Sequence, residues 1–349
     1  MSAARQEGAQ RPREGAGRFR VGVTRDLLAA NGEPSFGRGP LALLAGDPGI
    51  EWEFLPEVLD EITPEVMARY DGLYVNAPRV TAASVARADR RVRIVSRHGV
   101  GYDSVDVRAL AAQGVVTTNT PVAVRRPVAV AALTFIFAFA GRLVEKDRLT
   151  RAGRWHERTS HMGLGLTTRT LGVIGAGGIG RELLALARPF GWKMLAADPY
   201  LEPAALSALS ALGVERVPLE QLLRESDFVV ATVLLNEETH HLMNAARFEQ
   251  MKRSAYFVNL SRGPIVDEKA LIAALRGGVI AGAGIDVFEQ EPVAPDNPLL
   301  TMDNVLVTPH ALCWTDECFD AIAREGLTCM VDFANGRRPL SVIKVAGHG

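Results

Sequence analysis

Thr170-Leu-Gly-Val-Ile-Gly-Ala-Gly-Gly-Ile-Gly180 is the stretch on which the fold turns. Leu171–Ile174 is an apolar run of strand character. Gly175, Gly177 and Gly180 follow in the spacing GxGxxG, with Gly178 and Ile179 inside the turn, and a helical pattern runs over Arg181–Arg188. The glycine spacing is weak alone. Between a strand and a helix it is a dinucleotide fingerprint. Gly175 permits the tight turn, Gly177 lets the backbone approach a pyrophosphate, and Gly180 lets helix and strand pack closely. The free N–H groups and the dipole of the helix start favour an anion there. Asp198 closes the next apolar run, Met194–Ala197, about 20 residues past the glycines. A carboxylate at that point accepts ribose hydroxyls and repels a 2′-phosphate. Pro199-Tyr-Leu-Glu202 holds no Arg or Lys to bind one, so the pattern favours NAD over NADP.

Outward from this unit, short apolar runs alternate with helical patterns along the chain. Runs at Arg20–Thr24, Gly72–Val75, Val92–Ser96 and Val115–Thr118 precede it. Met194–Ala197, Phe228–Val233, Ala255–Leu260, Val279–Ile285 and Val305–Val307 follow, with helical patterns at Pro203–Ala211 and Glu268–Arg276. Such alternation implies βαβ units and parallel sheets covered by helices on both faces. These runs are too many for one comfortable sheet, so the expected class is α/β with two doubly wound, Rossmann-like domains. Asn119-Thr-Pro121 and Thr308-Pro-His310 punctuate the chain at two distant points, and proline stops a strand ladder. They suggest a discontinuous first domain, 18–120 with 310–345, around a nucleotide domain, 121–309. Residues 1–17, rich in Gly, Ala, Arg and Gln, read as a disordered leader.

Length and composition agree with this division. The chain's 349 residues suit two domains. With 48% apolar and 23% charged residues, it has the balance of a folded protein rather than a disordered or fibrous one. Lysines and arginines number 39 against 40 carboxylates. That near-neutrality gives no electrostatic reason to expect a nucleic acid or an anionic membrane as partner. Cys313, Cys318 and Cys329 form no CxxC pair. No disulfide framework or metal site is therefore expected, and reduced thiols in the cytoplasm are the simplest reading. The N-terminal stretch lacks the apolar region of a secretory signal. Pro127–Ala140, PVAVAALTFIFAFA, is apolar but shorter than the roughly 18–20 residues a span needs. It reads as a buried helix, in a core or a subunit contact.

Three polar motifs stand at strand ends: Asn259-Leu-Ser-Arg262-Gly-Pro, Asp286-Val-Phe-Glu-Gln-Glu291-Pro and Thr308-Pro-His310. Ligands of open α/β sheets bind beyond the carboxyl ends of the strands, so all three fall on the edge of the glycine turn. Together with GAGGIG, and with HGVGYDSVD upstream at 98–106, these motifs resemble the D-isomer-specific 2-hydroxyacid dehydrogenases over about residues 19–340. The resemblance implies a catalytic Arg262, Glu291 and His310. Arginine presents a permanently charged planar fork to a substrate carbonyl and carboxylate. His310 would exchange the proton with the substrate oxygen. A carboxylate beside an imidazole favours its protonated form and fixes its tautomer.

The resemblance also implies cofactor contacts at Val233, Leu260, Ser261, Arg262 and Asp286, the last holding the nicotinamide carboxamide. Val100 and Gly101 match the loop whose N–H groups grip the substrate carboxylate, and Asn76 and Arg79 match a second substrate loop. Trp314 is a candidate wall of the substrate pocket and His98 a candidate ligand for a substrate anion. Trp155 and His156 lie in a segment that reaches the partner subunit in some relatives, and a homodimer is expected. The chain departs from many relatives at Val130, where they carry Glu, and at Thr232 and Leu234, where they carry His and Pro. The implied activity is NAD-dependent hydride transfer between NAD(H) and a small D-2-hydroxyacid or 2-oxoacid. The other reading is an NAD(H)-binding regulatory protein like the family's corepressors, without significant turnover. Formate oxidation is disfavoured, since it goes with Gln where Glu291 stands.

Overall fold

The structure, a computed structural model, describes residues 17–345. All but the last residue of the expected leader lies outside the described residues. The described residues form two compact units: one comprises 17–124 and 314–345, the other Arg125–Cys313. Each contains one parallel sheet, so the fold is α/β with two doubly wound domains, the first discontinuous.

The first unit holds strands β1 (Phe19–Val23), β2 (Ile50–Phe54), β3 (Gly72–Val75), β4 (Ile94–Arg97) and β5 (Val116–Thr118), in the order β2-β1-β3-β4-β5. All pairs are parallel. Val21, Val23, Leu73, Val75, Ile94 and Val95 are buried, as expected for a sheet covered on both faces. The order reverses between β1 and β3, where ligands of doubly wound sheets bind. The helix Asp316–Ala334 closes the unit and is capped by Thr315, whose Oγ1 accepts the Cys318 N–H. It lies close to the sheet because Gly326 has no side chain: a Cβ there would fall 2.5 Å from the Tyr74 ring. The Tyr74 and Ser96 hydroxyls donate to the Ile322 and Gly326 carbonyls, at 3.3 and 3.0 Å.

The second unit holds β6 (Thr170–Ile174), β7 (Lys193–Ala197), β8 (Glu215–Arg216), β9 (Phe228–Ala231), β10 (Tyr256–Asn259), β11 (Gly282–Ile285) and β12 (Val305–Val307). Their order is β12-β11-β10-β9-β6-β7-β8, again all parallel. The order reverses at β6 and β9, so the turns after these two strands flank the crevice. The apolar helix spans Arg125–Gly141. Its Phe135 ring packs where a Cβ on Gly284 would come within 2.7 Å. Val130, the departure from many relatives, is exposed on this helix, as is Phe137. Among the described residues no single helix is long and apolar enough to cross a membrane. The pair Arg125–Gly141 and Leu143–Arg151 passes that test jointly but is bent by 55°.

The chain passes between the units after Val124 and after Cys313, slightly later at each point than the proline punctuation suggests. Bonds explain both positions. The Val122 and Ala123 N–H groups bind the Glu325 carboxylate of the first unit. The N–H groups of Ala311 and Leu312 bind Asp286 of the second, and Leu312 packs on that unit's core.

Candidate active site

The glycine turn is built as its spacing requires. The helix Gly178–Ala187 starts directly on the glycines, with Gly177 as a cap that has no side chain. Gly175 has φ +88°, a conformation that favours glycine. A Cβ on Gly180 would lie 2.2 Å from the Gly175 carbonyl oxygen, so helix and strand approach closely only without it. A Cβ on Gly177 would meet nothing within 4 Å. The turn therefore has open space above it and the undonated N–H groups of a helix start beneath, which fits a dinucleotide pyrophosphate.

Two neighbours hold the turn. Thr232 Oγ1 donates to the Gly175 carbonyl at 2.5 Å, a role sequence reasoning missed when it marked Thr232 only as a departure. Val233 packs over Gly175, its Cγ1 2.6 Å from where a Cβ would stand. Leu234 is exposed. Asp198 lies at the end of β7 with Oδ2 accepting the Ala176 N–H and Oδ1 the Tyr200 N–H, both at 2.9 Å. The carboxylate thus stands beside the glycine turn, where the adenosine ribose of NAD would reach it. Asp198→Asn removes the charge and keeps one acceptor oxygen, enough for one of the two N–H groups. Its NADPH affinity relative to NADH should rise roughly tenfold, about 1.4 kcal/mol, as read by fluorescence titration with both cofactors. Equal wild-type affinity for the two would show that Asp198 does not select.

The three catalytic candidates come together in the second unit. After β10, the Asn259 side chain folds the turn by donating to the Arg262 carbonyl and accepting the Ser261 N–H, at 3.0 and 3.1 Å. Ser261 Oγ donates to Ala231 at the end of β9, and Leu260 packs on the core. Arg262 donates through Nη1 to the Ser261 carbonyl. After β11, buried Asp286 gathers the next turn: its Oδ1 accepts Thr308 Oγ1 at 2.6 Å and the Ala311 and Leu312 N–H groups at 3.0 and 3.2 Å. His310, inside that turn, has φ +54°, a conformation uncommon for non-glycine residues and a frequent mark of functional sites. Its Nδ1 lies 2.8 Å from Glu291 Oε2.

Burial pushes the Glu291 carboxyl up. The hydrogen bond and charge of His310, the Phe288 N–H and the Arg262 charge outweigh it and hold the group below its ordinary range. Glu291 is therefore an anion near neutrality and accepts a hydrogen bond from Nδ1–H. That leaves Nε2 as the imidazole atom to exchange a proton. Among the described residues no cluster of His, Cys, Asp and Glu is arranged to hold a metal ion.

In the first unit, the turn after β4 is pinned on three sides. The Gly99 N–H donates to Thr120 Oγ1 (2.9 Å), the Thr120 N–H to the Gly99 carbonyl (3.0 Å), and Asn119 Nδ2 to the Val100 carbonyl (2.7 Å). The N–H groups of Val100 and Gly101 donate to no described residue, so they are available to an anion. Asn76 donates to Asp26 Oδ2 (2.8 Å), and Arg79 pairs with Glu61. His98 corrects an expectation. It is only 4% exposed, and its Nδ1 lies 2.6 Å from the Tyr74 hydroxyl. Burial pushes its pKa down to about 3, with the Arg97 charge adding to the effect. A neutral, enclosed imidazole is no cation for a substrate anion. Trp314 is 58% exposed and meets Phe319 edge-on at 5.0 Å, so it is not a core aromatic. Trp155 and His156 lie exposed on the short helix Trp155–Ser160.

Known proteins carry the same pattern. The profile of the D-isomer specific 2-hydroxyacid dehydrogenase NAD binding domain matches residues 133–311. A glyoxylate reductase of Korarchaeum cryptofilum is 41% identical over 264 residues, 75% of this chain and 79% of that protein. Glyoxylate/hydroxypyruvate reductase B of Klebsiella pneumoniae is 38% identical over 275 residues, 78% of this chain and 84% of that protein. The crystal structure of a glyoxylate reductase from Paecilomyes thermophila matches with a TM-score of 0.80 at 26% identity, covering 93% of this chain and 98% of that one.

Proposed function

The chain belongs to the D-isomer-specific 2-hydroxyacid dehydrogenase family, and within it we propose that Arg262, Glu291 and His310 carry NAD-dependent reduction of a small 2-oxoacid such as glyoxylate or hydroxypyruvate. The enzyme transfers a hydride between NAD(H) and a small hydroxyacid or oxoacid. The observation that carries the residue assignment is the 2.8 Å contact between His310 and an ionised Glu291, on a turn that Asp286 gathers. Bound NADH supplies the hydride to the carbonyl carbon. Arg262 polarises the carbonyl and stabilises the charge that develops on its oxygen. His310 Nε2 gives that oxygen a proton, and in oxidation takes it back. Asp286 Oδ2 is the oxygen left to orient the nicotinamide carboxamide. The Val100 and Gly101 N–H groups are assigned to the substrate carboxylate, with Asn76 nearby in the same unit. A panel of 2-oxoacids with NADH, read by loss of NADH absorbance, tests the reading. Tight NADH binding without turnover of any 2-oxoacid would favour the corepressor-like alternative.

The Glu291 carboxyl makes a pH-dependent contribution whose sign is fixed. Its folded-state value is depressed, so the stability it adds is full above the ordinary carboxylate pKa and fades as pH falls through the depressed value. Through neutral and alkaline pH it stays an anion. Glu291→Gln therefore deprives the protonated imidazole of a partner charge, and the alkaline fall in reduction rate should move to lower pH. Rate profiles of both proteins on one 2-oxoacid decide this. An unmoved alkaline limb would separate Glu291 from His310.

The protein is further assigned to the cytoplasm as a homodimer. The exposed apolar side chains Val130, Phe137, Leu143, Val144 and Trp155 lie on the Arg125–Gly141 helix and the segment after it, and a second copy is their proposed cover. Sedimentation at micromolar concentration should give twice the chain mass, and a monomer would refute the assignment.

A further inference from the structure

Another histidine–glutamate pair, His241–Glu289, connects the segments that carry Arg262 and Glu291. His241 is one of three non-glycine residues of positive φ among the described residues, with Arg142 and His310. Its φ of +50° lies in the left-handed region, uncommon for a non-glycine residue and held there by surrounding bonds. Two such bonds are present, and each reaches one catalytic loop. The His241 N–H donates to the Pro264 carbonyl at 2.8 Å, two residues past Arg262. Its Nε2 lies 2.5 Å from Glu289 Oε1, two residues before Glu291.

Neighbouring contacts extend both attachments. The Met243 N–H donates to Ile265 and the Asp267 N–H to Met243, so residues 241–243 are laced along the turn that follows Arg262. The Glu289 N–H donates to Glu268 Oε2 at 3.1 Å, which anchors the other side of the Glu291 loop. The two loops also touch directly: a Cβ on Gly263 would fall 1.8 Å from the Phe288 carbonyl oxygen. The His240 ring stacks on His241 with centroids 4.0 Å apart.

We infer that His241 and Glu289 are positioning residues that fix the loop bearing Glu291 against the turn bearing Arg262. The inference rests on the assignment of those two residues to the chemistry. The side chains of the pair are 41% and 31% exposed, and a polar contact so wet adds little to global stability. Its effect belongs in alignment instead, since displacement of a reacting group by about 1 Å can cost about 10²-fold in rate.

The test compares His241→Ala, His241→Gln and Glu289→Gln with wild type, using glyoxylate and NADH. Reading kcat, KM, NADH affinity and Tm for each separates alignment from folding. For His241→Ala we expect kcat to fall roughly 3–10-fold while NADH affinity and Tm stay near wild type. His241→Gln, which keeps an N–H of similar reach, should recover part of the loss. In a double-mutant cycle with Glu289→Gln, the second substitution should add little to the first. A kcat within twofold of wild type in His241→Ala, or a fall that tracks Tm or NADH affinity, would overturn the inference and leave the catalytic assignment standing. A wild-type protein that turns over no 2-oxoacid would overturn both.

Discussion

His310→Ala should still fold and bind NADH while 2-oxoacid reduction falls about 10²–10⁴-fold, the usual cost of losing a positioned proton donor. The glycine turn and Asp198 make no hydrogen bond to the His310 ring, which is why cofactor binding should survive. His310→Asn is a useful second variant because asparagine tolerates the positive φ of that position better than most residues. Arg262→Ala should cost about 10²–10³-fold through loss of charge stabilisation at the carbonyl oxygen. Steady-state rates beside NADH fluorescence titrations check both. Retention of most wild-type turnover in His310→Ala would remove the histidine from the chemistry.

Gly263→Ala should be more damaging than its one added methyl suggests. The new Cβ would stand 1.8 and 1.9 Å from the Phe288 carbonyl oxygen and carbon, and 2.4 Å from the Glu289 nitrogen. All three are backbone atoms, so no side chain can rotate away. The loops before and after must separate. Overpacking of this kind costs about 1–3 kcal/mol of stability, sometimes more. It would also displace Arg262 relative to Glu291, and a shift of about 1 Å between reacting groups can cost about 10²-fold in kcat. Thermal unfolding and kcat measured on one preparation test both parts. A variant with wild-type kcat would show that these loops tolerate separation.

Much of the architecture was legible because local rules and tertiary structure coincide. The helices Pro203–Ala211 and Glu268–Arg276 occur with the expected limits, the first opened by proline and the second capped by Asp267. Two strands were not read. Ile50-Glu-Trp-Glu-Phe54 lies at a sheet edge and alternates buried with exposed residues, so it lacks the continuous apolar run of its buried neighbours. Glu215–Arg216 has two exposed residues and is defined by pairing with β7 alone. The helix after the glycines starts three residues before its apolar pattern does, since Gly178, Ile179 and Gly180 form its first turn.

At the site, the motifs that begin at strand ends carried the family resemblance, and it is the resemblance that implied the His310–Glu291 pair. They could not show that His98 is enclosed by Phe36, Tyr74 and Phe319. Nor could they show that His241 bridges two loops, because that contact joins segments 48 residues apart in the chain. The signal at Thr308 was present in the TPH motif, but its bond to Asp286 is visible only in the folded chain.

The second crossing between units has a consequence for rebuilding the molecule. Because it falls after Cys313 rather than before His310, Arg262, Glu291, His310 and the glycine turn all belong to one uninterrupted stretch, Arg125–Cys313. The flanking unit, with Val100, Gly101 and Trp314, is encoded entirely outside it. A chimera joined at Val124/Arg125 and Cys313/Trp314 would exchange the Val100–Gly101 loop and Trp314 while keeping together the residues proposed for cofactor binding and proton transfer. Seams drawn at the prolines, Pro121 and Pro309, would instead cut the Asp286-gathered turn from its strand.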